Sequence, residues 1–366
     1  MLKILITNIQ LTIPGGTVSY TKDLAKFLIA KGFIVEVFTY SIGTVGREMI
    51  AEGIPVVTRL SQLINKPDII HAHHTPTAFE ALHYFKNTPA IFVVHDRTSR
   101  FDSPLPHKHI LTYAAVDNNC LDRLLVDFKI NQTYTKVFYN WVDTMRFPIR
   151  TSFNEMSMRA VVFSNYATPD NHYKIIAEAC SQINLPLNVI GSGMDNSVSN
   201  PEKELYKYDI VFAKAKAAIE ALATGAAVIL CDFGGVGGMV QTNSIEHLRN
   251  YNFGRKTLTH EFNTDFLIDE IKKYNIENNR INAAWIQEHA SLEKIAATII
   301  DFYYTTIGDF NLDKKGQLEE SWKTRVHCYY LKAYFLFTKT ALFKKLSAFK
   351  YFIKNRRFKI KFHFFL

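Results

Sequence analysis

Residues 214–235, KAKAAIEALATGAAVILCDFGG, decide the fold class of this 366-residue chain. The first half consists mostly of good helix formers, and Gly225 suits the left-handed conformation that often follows the last turn of a helix. The run at 227–231 is short and apolar, as expected of a buried parallel strand. Helix, glycine turn, strand and glycine loop in this order predict a nucleotide-phosphate site, because N–H groups at a helix start face phosphate oxygens.

Glu220 is the only acid on this predicted helix. A carboxylate there can accept hydrogen bonds from both vicinal hydroxyls of a ribose. A solvated helix acid is the alternative, since glutamates are mostly exposed, and spacing alone does not separate the two.

The stretch Glu220-Ala-Leu-Ala-Thr-Gly-Ala-Ala-Val228 resembles the motif Glu-Ala-Met-Ala-x-Gly-x-Pro-Val of the GT-B glycosyltransferases, specifically the family-4-like group (glycosyl transferases group 1). The resemblance covers about residues 1–307. It implies that Glu220 binds the ribose of a nucleotide-sugar donor. Another acid, eight positions earlier in the family motif, usually meets a sugar hydroxyl, and Phe212 stands at that position here.

The N-terminal half alternates short apolar runs with helical or turn-rich sequence, which predicts a doubly wound parallel sheet with ligands beyond the carboxyl ends of its strands. Strands are predicted at 3–9, 33–39, 54–57, 69–71 and 91–94, and a helix at 17–30. Gly15 and Gly16 follow the first strand and can let the backbone approach a phosphate, although a tight turn explains the pair equally well.

Two segments at predicted strand ends extend the resemblance. Pro67-Asp-Ile-Ile-His-Ala-His-His74 is similar to the family's P-D-x-x-H-x-H, and Val93-Val-His-Asp96 to its strand-terminal H-D or H-N. A His near this point contacts the transferred sugar in the resembling enzymes, which implies a catalytic role for His95. Asp96 would orient His95 or bind the acceptor. No acid or Cys lies near enough to the histidines at 71–74 to complete a metal site, so no metal is predicted.

Domain boundaries follow from Val137-Phe-Tyr-Asn-Trp-Val-Asp-Thr-Met-Arg-Phe147, which resembles I-x-N-G-V-D-x-x-x-F, the usual end of the N-terminal domain. Trp141 replaces the glycine of that pattern. We predict an N-terminal Rossmann-like acceptor-side domain at 1–150 and a C-terminal Rossmann-like nucleotide-sugar domain at 151–285. A helix at 286–310 would cross back, and a tail would occupy 311–366.

The second domain departs from the family pattern at the diphosphate. Ser164-Asn-Tyr-Ala167 replaces a V-G-R-L signature whose Arg grips the diphosphate, which leaves Lys174, Lys214 and Lys216 as the available cations. The predicted donor contacts also include Gly191, in a V-x-G-x-G-like turn, and Gly234 and Gly235. Because a strand and helix usual in the family are skipped between 194 and 207, the predicted fold is α/β, with two Rossmann-like doubly wound domains (GT-B), the second one shortened.

Composition limits the cellular setting. Four cysteines without C-x-x-C spacing fit a reducing cytosol, no apolar run approaches the roughly 20 residues of a membrane span, and no signal peptide is recognised. The net charge of +9 is asymmetric, since every acid lies at or before Glu320 and twelve Lys and Arg lie beyond it.

The tail at 321–366 interleaves these twelve basic residues with fourteen aromatic ones. A helical projection places Lys332 and Lys339 on a basic stripe beside an apolar face with Leu331 and Phe335. This predicts a basic amphipathic helical tail that binds an anionic membrane surface, with the protein peripheral on the inner face of the plasma membrane. Nucleic-acid binding is disfavoured because the helical segregation exceeds what phosphate contacts require, and packing on the body stays open.

The resemblance implies a retaining glycosyltransferase that moves a sugar from a nucleotide-sugar donor to a glycan or lipid-linked acceptor, in capsule, O-antigen or lipopolysaccharide assembly. It implies no cofactor and no metal, because the protein stabilises the leaving diphosphate itself. A sugar-nucleotide isomerase of GT-B fold is one alternative. A non-catalytic glycan-binding or scaffold subunit is another, which the departures at Phe212, Trp141 and 164–167 keep open.

Overall fold

A computed structural model describes residues 1–12, 14–198 and 200–340 of the chain. These residues form a seven-stranded N-terminal sheet and a five-stranded C-terminal sheet, with helices packed on the sheets. The arrangement confirms the predicted class of two Rossmann-like α/β domains.

The N-terminal sheet is entirely parallel. Its strands are β1 (Lys3–Asn8), β2 (Ile34–Thr39), β3 (Val56–Val57), β4 (Ile69–His73), β5 (Ala90–Val94), β6 (Ile110–Ala115) and β7 (Thr135–Val137). The helices of this part are α1 (Gly16–Ala30), α2 (Thr44–Ala51), α3 (Thr75–Tyr84) and α4 (Asn118–Asp122). The strand order β3-β2-β1-β4-β5-β6-β7 reverses between β1 and β4, so a crevice opens beyond the carboxyl ends of these two strands.

The predicted strand at 54–57 is shorter in the structure, where it is confined to Val56–Val57. Pro55 has no N–H to donate to a ladder, so it precedes the strand and only its carbonyl pairs, accepting from the Val37 N–H at 2.8 Å. β6 and β7 were not predicted.

The C-terminal sheet has the order β12-β11-β10-β8-β9. Its strands are β8 (Ala160–Phe163), β9 (Leu187–Ile190), β10 (Ile210–Ala213), β11 (Ala227–Asp232) and β12 (Gly235–Met239). The helices of this part are α5 (His172–Gln182), α6 (Pro201–Leu205), α7 (Ala215–Ala223), α8 (Ile245–Arg249), α9 (Thr264–Lys272) and α10 (Ile276–His289). The order reverses between β8 and β10, which places a second crevice beyond their carboxyl ends.

The predicted glycine loop after β11 is largely a strand. Gly235 begins β12, which turns back antiparallel to β11, and a Cβ at Gly235 would lie 2.8 Å from the His260 carbonyl oxygen. Only Gly234, with no atom within 4 Å of a built Cβ, keeps an open backbone that a phosphate could approach.

Two segments cross between the domains and pair with each other. The Val142 N–H donates to the Ala290 carbonyl at 2.8 Å, and the Leu292 N–H donates to the Val142 carbonyl at 2.9 Å. Helix α11 (Leu292–Asn311) then places Ala296, Ile299 and Tyr303 in the core of the N-terminal domain. The boundaries at 150, 285 and 310 remain predictions.

The tail begins with helix α12 (Trp322–Thr338), which packs on α3. Leu331 and Phe335, predicted to form a membrane-facing surface, are instead buried against the body. Lys332 pairs with Glu80 at 2.6 Å, so part of the predicted basic stripe also faces protein. The rest of the predicted tail helix, residues 341–366, lies outside the described residues. Among the described helices, none is long and apolar enough to cross a membrane.

Substitution of Gly225 can test how tightly the turn after α7 is packed. Its φ is +86°, and a Cβ there would lie 2.9 Å from the Phe153 ring, whereas Gly32 after α1 has φ +89° with no atom within 4 Å. Gly32→Ala should therefore cost only left-handed strain, about 1–2 kcal/mol. Gly225→Ala should cost about 1–3 kcal/mol more, because the methyl group overpacks the turn. Denaturant unfolding of both variants measures this, and equal losses would contradict the packing.

Candidate functional site

The two crevices face each other across the domain interface. Pro14 lies in the loop that follows β1, and Asn165 in the turn that follows β8; the Asn165 amide donates to the Pro14 carbonyl at 3.2 Å. The same amide group accepts from the Ser192 N–H at 3.0 Å through its oxygen. Asn165 therefore joins the phosphate-side turns of both domains, although its sequence context gave no signal for this.

The predicted glycines lie in these turns. Gly15 and Gly16 have no atom within 4 Å of a built Cβ, so the start of α1 is open to a ligand. Gly191 is closely packed, because its Cβ would lie 2.0 Å from the Ser164 carbonyl oxygen. Gly191 thus allows close packing of two turns, and a direct contact with the donor remains a prediction.

His95 and Asp96 follow β5 directly. The Asp96 carboxylate accepts hydrogen bonds from the Thr98 N–H at 2.6 Å and the Ser99 N–H at 2.7 Å. Burial acts to raise the pKa of Asp96, but these hydrogen bonds and the charge of Arg255 keep it below its usual value. Asp96 is therefore a carboxylate at neutral pH, and it already uses one oxygen to hold its own turn.

His95 belongs to a buried row of imidazoles. Its Nε2 lies 2.9 Å from Nδ1 of His73, and Nδ1 of His71 lies 2.7 Å from the Tyr303 hydroxyl. Burial lowers the pKa of His95 and His73 well below the usual value and that of His71 to about 3. His95 is thus a neutral hydrogen-bonding group whose ring orientation depends on His73, a partner that we had not assigned.

Trp141 fills the space beside this row. Its ring packs on Tyr20 with centroids 4.0 Å apart, and the Tyr20 ring in turn meets His95 edge-on at 4.8 Å. Trp141 is 1% exposed. Trp141, which replaces the family's glycine, therefore packs against the ring that contacts His95.

Glu220 lies at the domain interface, one and a half turns into α7. The Lys216 ammonium is 3.8 Å from Glu220, 2.7 Å from Asp23 on α1 and 3.3 Å from the Trp141 carbonyl oxygen. Burial raises the pKa of Glu220 to about 7, despite the opposing charge of Lys216. Burial opposes the charge of Lys216 too, but Asp23 and Glu220 outweigh it and raise its pKa. Lys216, predicted as a phosphate ligand, thus bridges the two domains.

A second group of residues lies where β8, β10 and β11 end. Lys214 pairs with Asp232, and its ammonium lies 5.2 Å from the Tyr166 ring and 5.7 Å from the Phe233 ring. The Arg255 guanidinium lies 5.3 Å from the same Phe233 ring. Tyr166 and Phe233 are 58% and 52% exposed, so both rings present aromatic surface beside these cations.

Arg255 was missed because the family signature for the phosphate cation lies elsewhere in the sequence. It lies in a short 3₁₀ turn, Arg255–Thr257, after a segment that docks on the N-terminal domain through the Asn250 carbonyl, which accepts from the Asn118 N–H at 2.9 Å. The effect of Arg255 on Asp96 shows that this cation faces the opposite domain. Lys174 lies instead on the exposed face of α5.

Phe212, at the position of the missing family acid, is fully buried in β10. The chain passes directly from β10 into α7. The position eight residues before Glu220 therefore lies in the buried strand and not in the crevice. Among the described residues, no group of three His, Cys, Asp or Glu side chains is arranged to hold a metal ion.

Two facing Rossmann-like domains with a crevice between their switch points define the GT-B class of proteins. Residues 14–146 match the family model described as Glycosyltransferase Family 4. The chain therefore has the GT-B fold, and its residues 14–146 are similar to the family-4 glycosyltransferases. A comparison with curated protein sequences gives no match.

Solved structures show the same architecture. A glycosyltransferase from Rickettsia africae ESF-5 is 14% identical, with 84% of this chain and 98% of that chain covered and a TM-score of 0.61. Anabaena Alr3699/HepE, solved with UDP and glucose, is 15% identical, with 83% and 100% covered and a TM-score of 0.62. WaaG, a glycosyltransferase involved in lipopolysaccharide biosynthesis, is 11% identical, with 82% and 99% covered and a TM-score of 0.53. At these identities the likeness shows the fold.

The raised pKa of Glu220 gives a pH signature for ligand binding. If the carboxylate accepts ribose hydroxyls, a nucleotide sugar should bind roughly ten-fold tighter at pH 8 than at pH 6, because ionisation proceeds through a pKa of about 7. A nucleotide sugar suits this titration because its diphosphate diester keeps a fixed charge in that range. Calorimetry of the protein and Glu220→Gln measures it, and the variant should give a flat profile.

The raised pKa of Glu220 affects the stability of the fold in the opposite direction from ligand affinity. The folded state holds the Glu220 proton up to a pKa of about 7 and the unfolded state only to about 4.5. Stability relative to Glu220→Gln should therefore fall as pH rises from about 4.5 to 7. A pH-independent difference in both affinity and stability would contradict the assignment.

Proposed function

We propose that the chain is a retaining glycosyltransferase that moves a sugar from a nucleotide-sugar donor to a glycan or lipid-linked acceptor in cell-surface polysaccharide assembly. The observation that carries this proposal is the Glu220 carboxylate on α7, which is 12% exposed at the domain interface. Lys214, at the N-terminus of the same helix, and Arg255 both lie beside the Phe233 ring. The UDP and glucose bound by HepE and the lipopolysaccharide role of WaaG support the substrate class.

Each group has a role in this reaction. Glu220 accepts the ribose hydroxyls, and Lys214 and Arg255 stabilise the charge that develops on the leaving diphosphate. Tyr166 and Phe233 cover the nucleotide with aromatic surface. Neutral His95 donates to or accepts from a hydroxyl of the transferred sugar, in an orientation set by His73.

Retention follows when the acceptor hydroxyl attacks the face from which the nucleoside diphosphate leaves. The new glycosidic bond forms as the sugar–phosphate bond breaks, and a leaving phosphate oxygen takes the hydroxyl proton. The protein supplies positioning and electrostatic stabilisation, and no metal or cofactor is required in this scheme. Asp96 orients the acceptor through the carboxylate oxygen that its own turn leaves available.

Thermal-shift measurements with UDP-, GDP- and CMP-sugars test the donor site, because a ligand that binds the native state raises the melting temperature. One nucleotide sugar should raise it, and the shift should vanish in Glu220→Ala but persist in Glu178→Ala, an exposed helix acid on α5. Sugar transfer to an acceptor separates a transferase from an isomerase, which converts the donor alone. No shift with any donor would favour the scaffold hypothesis.

Arg255 offers a matched test of diphosphate binding. Arg255 and Arg280 are both exposed, and their guanidinium groups lie 5.3 Å and 5.1 Å from a phenylalanine ring, but Arg280 contacts Phe153, away from the crevice residues. Arg255→Gln should weaken binding of the preferred nucleoside diphosphate by about ten-fold, since a charge-assisted contact is worth about 1.5–3 kcal/mol. Arg280→Gln should leave it unchanged. Calorimetry compares them, and equal affinities would remove Arg255 from the site.

The exposed face of α12 supports attachment to an anionic bilayer. Large apolar side chains form one stripe along it: Trp322, Val326, Tyr329, Tyr330, Leu336 and Phe337. At 100° per residue, Lys323 and His327 flank this stripe on one side and Arg325 on the other. An apolar stripe between cations is suited to the boundary between lipid head groups and chains. This placement would make the protein peripheral on the cytoplasmic side.

Vesicle sedimentation tests this attachment. Replacing Val326 and Leu336 with Ser should abolish binding to phosphatidylglycerol vesicles, because both side chains belong to the apolar stripe. They are 58% and 45% exposed, so the change should leave the fold intact. The matched control replaces two exposed apolar residues elsewhere, Ile64 and Met156, with Ser. Binding that survives the first change, or is lost equally in the control, would exclude α12 as the attachment surface.

A further inference from the structure

A cavity of about 290 Å³ lies between the N-terminal half of α12 and the loop that follows β5. Its lining combines hydroxyl, apolar and cationic side chains. They include Thr75, Ser103, Pro104, Phe128, Lys323 and His327. We propose that this cavity binds the phosphate-bearing head of a lipid-linked acceptor, an inference that rests on the proposed function and names its acceptor class.

The charge of the cavity favours an anion. Lys323 and His327 are four residues apart on α12, so they lie on the same side of the helix. No carboxylate belongs to the lining. The acid that precedes α12, Glu320, is already paired with Arg325 and lies 3.3 Å from Nε2 of His83.

The cavity wall and the candidate catalytic residues belong to one braced loop. The Arg123 guanidinium donates to the Asp96 carbonyl, to the Ser99 carbonyl at 3.0 Å and to the Ser103 hydroxyl at 3.2 Å. The Thr75 hydroxyl donates to the Ser103 carbonyl at 2.6 Å. A head group held at Ser103 is therefore fixed relative to His95 and Asp96, which begin the same loop.

The position of Lys323 and His327 relates the cavity to the exposed stripe of α12. Lys323 and His327 lie between that stripe and the buried face of the helix, which carries Cys328 and Leu331. A chain anchored in lipid beside the stripe would present its phosphate at the height of these two side chains. Pro104 and Phe128 offer apolar surface for the carbons next to the phosphate. The ligand class is thus a phosphate ester joined to an apolar chain.

Titration with dihexanoyl phosphatidic acid, kept monomeric, tests the cavity in the full chain without any bilayer. The protein should bind it, and the double variant Lys323→Gln, His327→Gln should bind about ten-fold more weakly. The matched control is the double variant Lys203→Gln, His247→Gln, which changes an exposed Lys and an exposed His of the C-terminal domain, and it should bind normally. The Ser variant of Val326 and Leu336 should also bind normally, because it changes the stripe and not the lining.

Inorganic phosphate separates the two sources of the anion. It should bind much more weakly than the lipid; equal affinity would mean a free-phosphate site and would overturn the acceptor assignment. No lipid binding, or equal losses in Lys323→Gln, His327→Gln and in Lys203→Gln, His247→Gln, would overturn the cavity itself. The thermal shift with a nucleotide sugar should persist in Lys323→Gln, His327→Gln, because these residues do not belong to the donor site. The donor-site proposal and the cavity proposal can therefore fail independently.

Discussion

The bridge made by Lys216 is the constraint on which the crevice depends. Its ammonium is held between Asp23 on α1, Glu220 on α7 and the Trp141 carbonyl, so one cation ties the two domains together. Removing one partner of such a buried set leaves an uncompensated charge, which is more costly than the set is stabilising. The relative position of α1 and α7, and with it the width of the crevice, is therefore fixed by electrostatics as well as by packing.

This use of Lys216 changes how phosphate charge can be met. Since Lys216 is occupied, the crevice relies on Lys214 and on Arg255, and both cations lie beside the Phe233 ring. A ring face attracts cations. Lys214 also pairs with the Asp232 carboxylate, so a phosphate would share this cation with that acid. Arg255 lies in the turn that follows a segment docked on the opposite domain through the Asn250 carbonyl, so the position of this cation depends on that contact.

The N-terminal side of the crevice is organised by neutral imidazoles. The rings of His71, His73 and His95 pack with Tyr20 and Trp141, and burial lowers the pKa of all three imidazoles, so the rings are uncharged at neutral pH. A charged His95 would attract the diphosphate itself, whereas a neutral one leaves that charge to Lys214 and Arg255. The polar chemistry is thereby divided, with hydrogen bonding on one domain and charge on the other. Helix α12 extends the first domain by covering α3 and creating the cavity at Ser103.

The sequence by itself determined the elements and their order, because hydrophobic runs, glycine turns and helix formers act locally. It therefore predicted both Rossmann-like domains, the α7 helix with Glu220, and the strand end at His95. Only the tertiary structure decided which charges meet: Asp23 and Lys216 are 193 positions apart, and Arg255 faces Asp96 across two domains. It also decided that Leu331 and Phe335 are buried, since an amphipathic pattern states that a face needs cover but not whether lipid or protein supplies it.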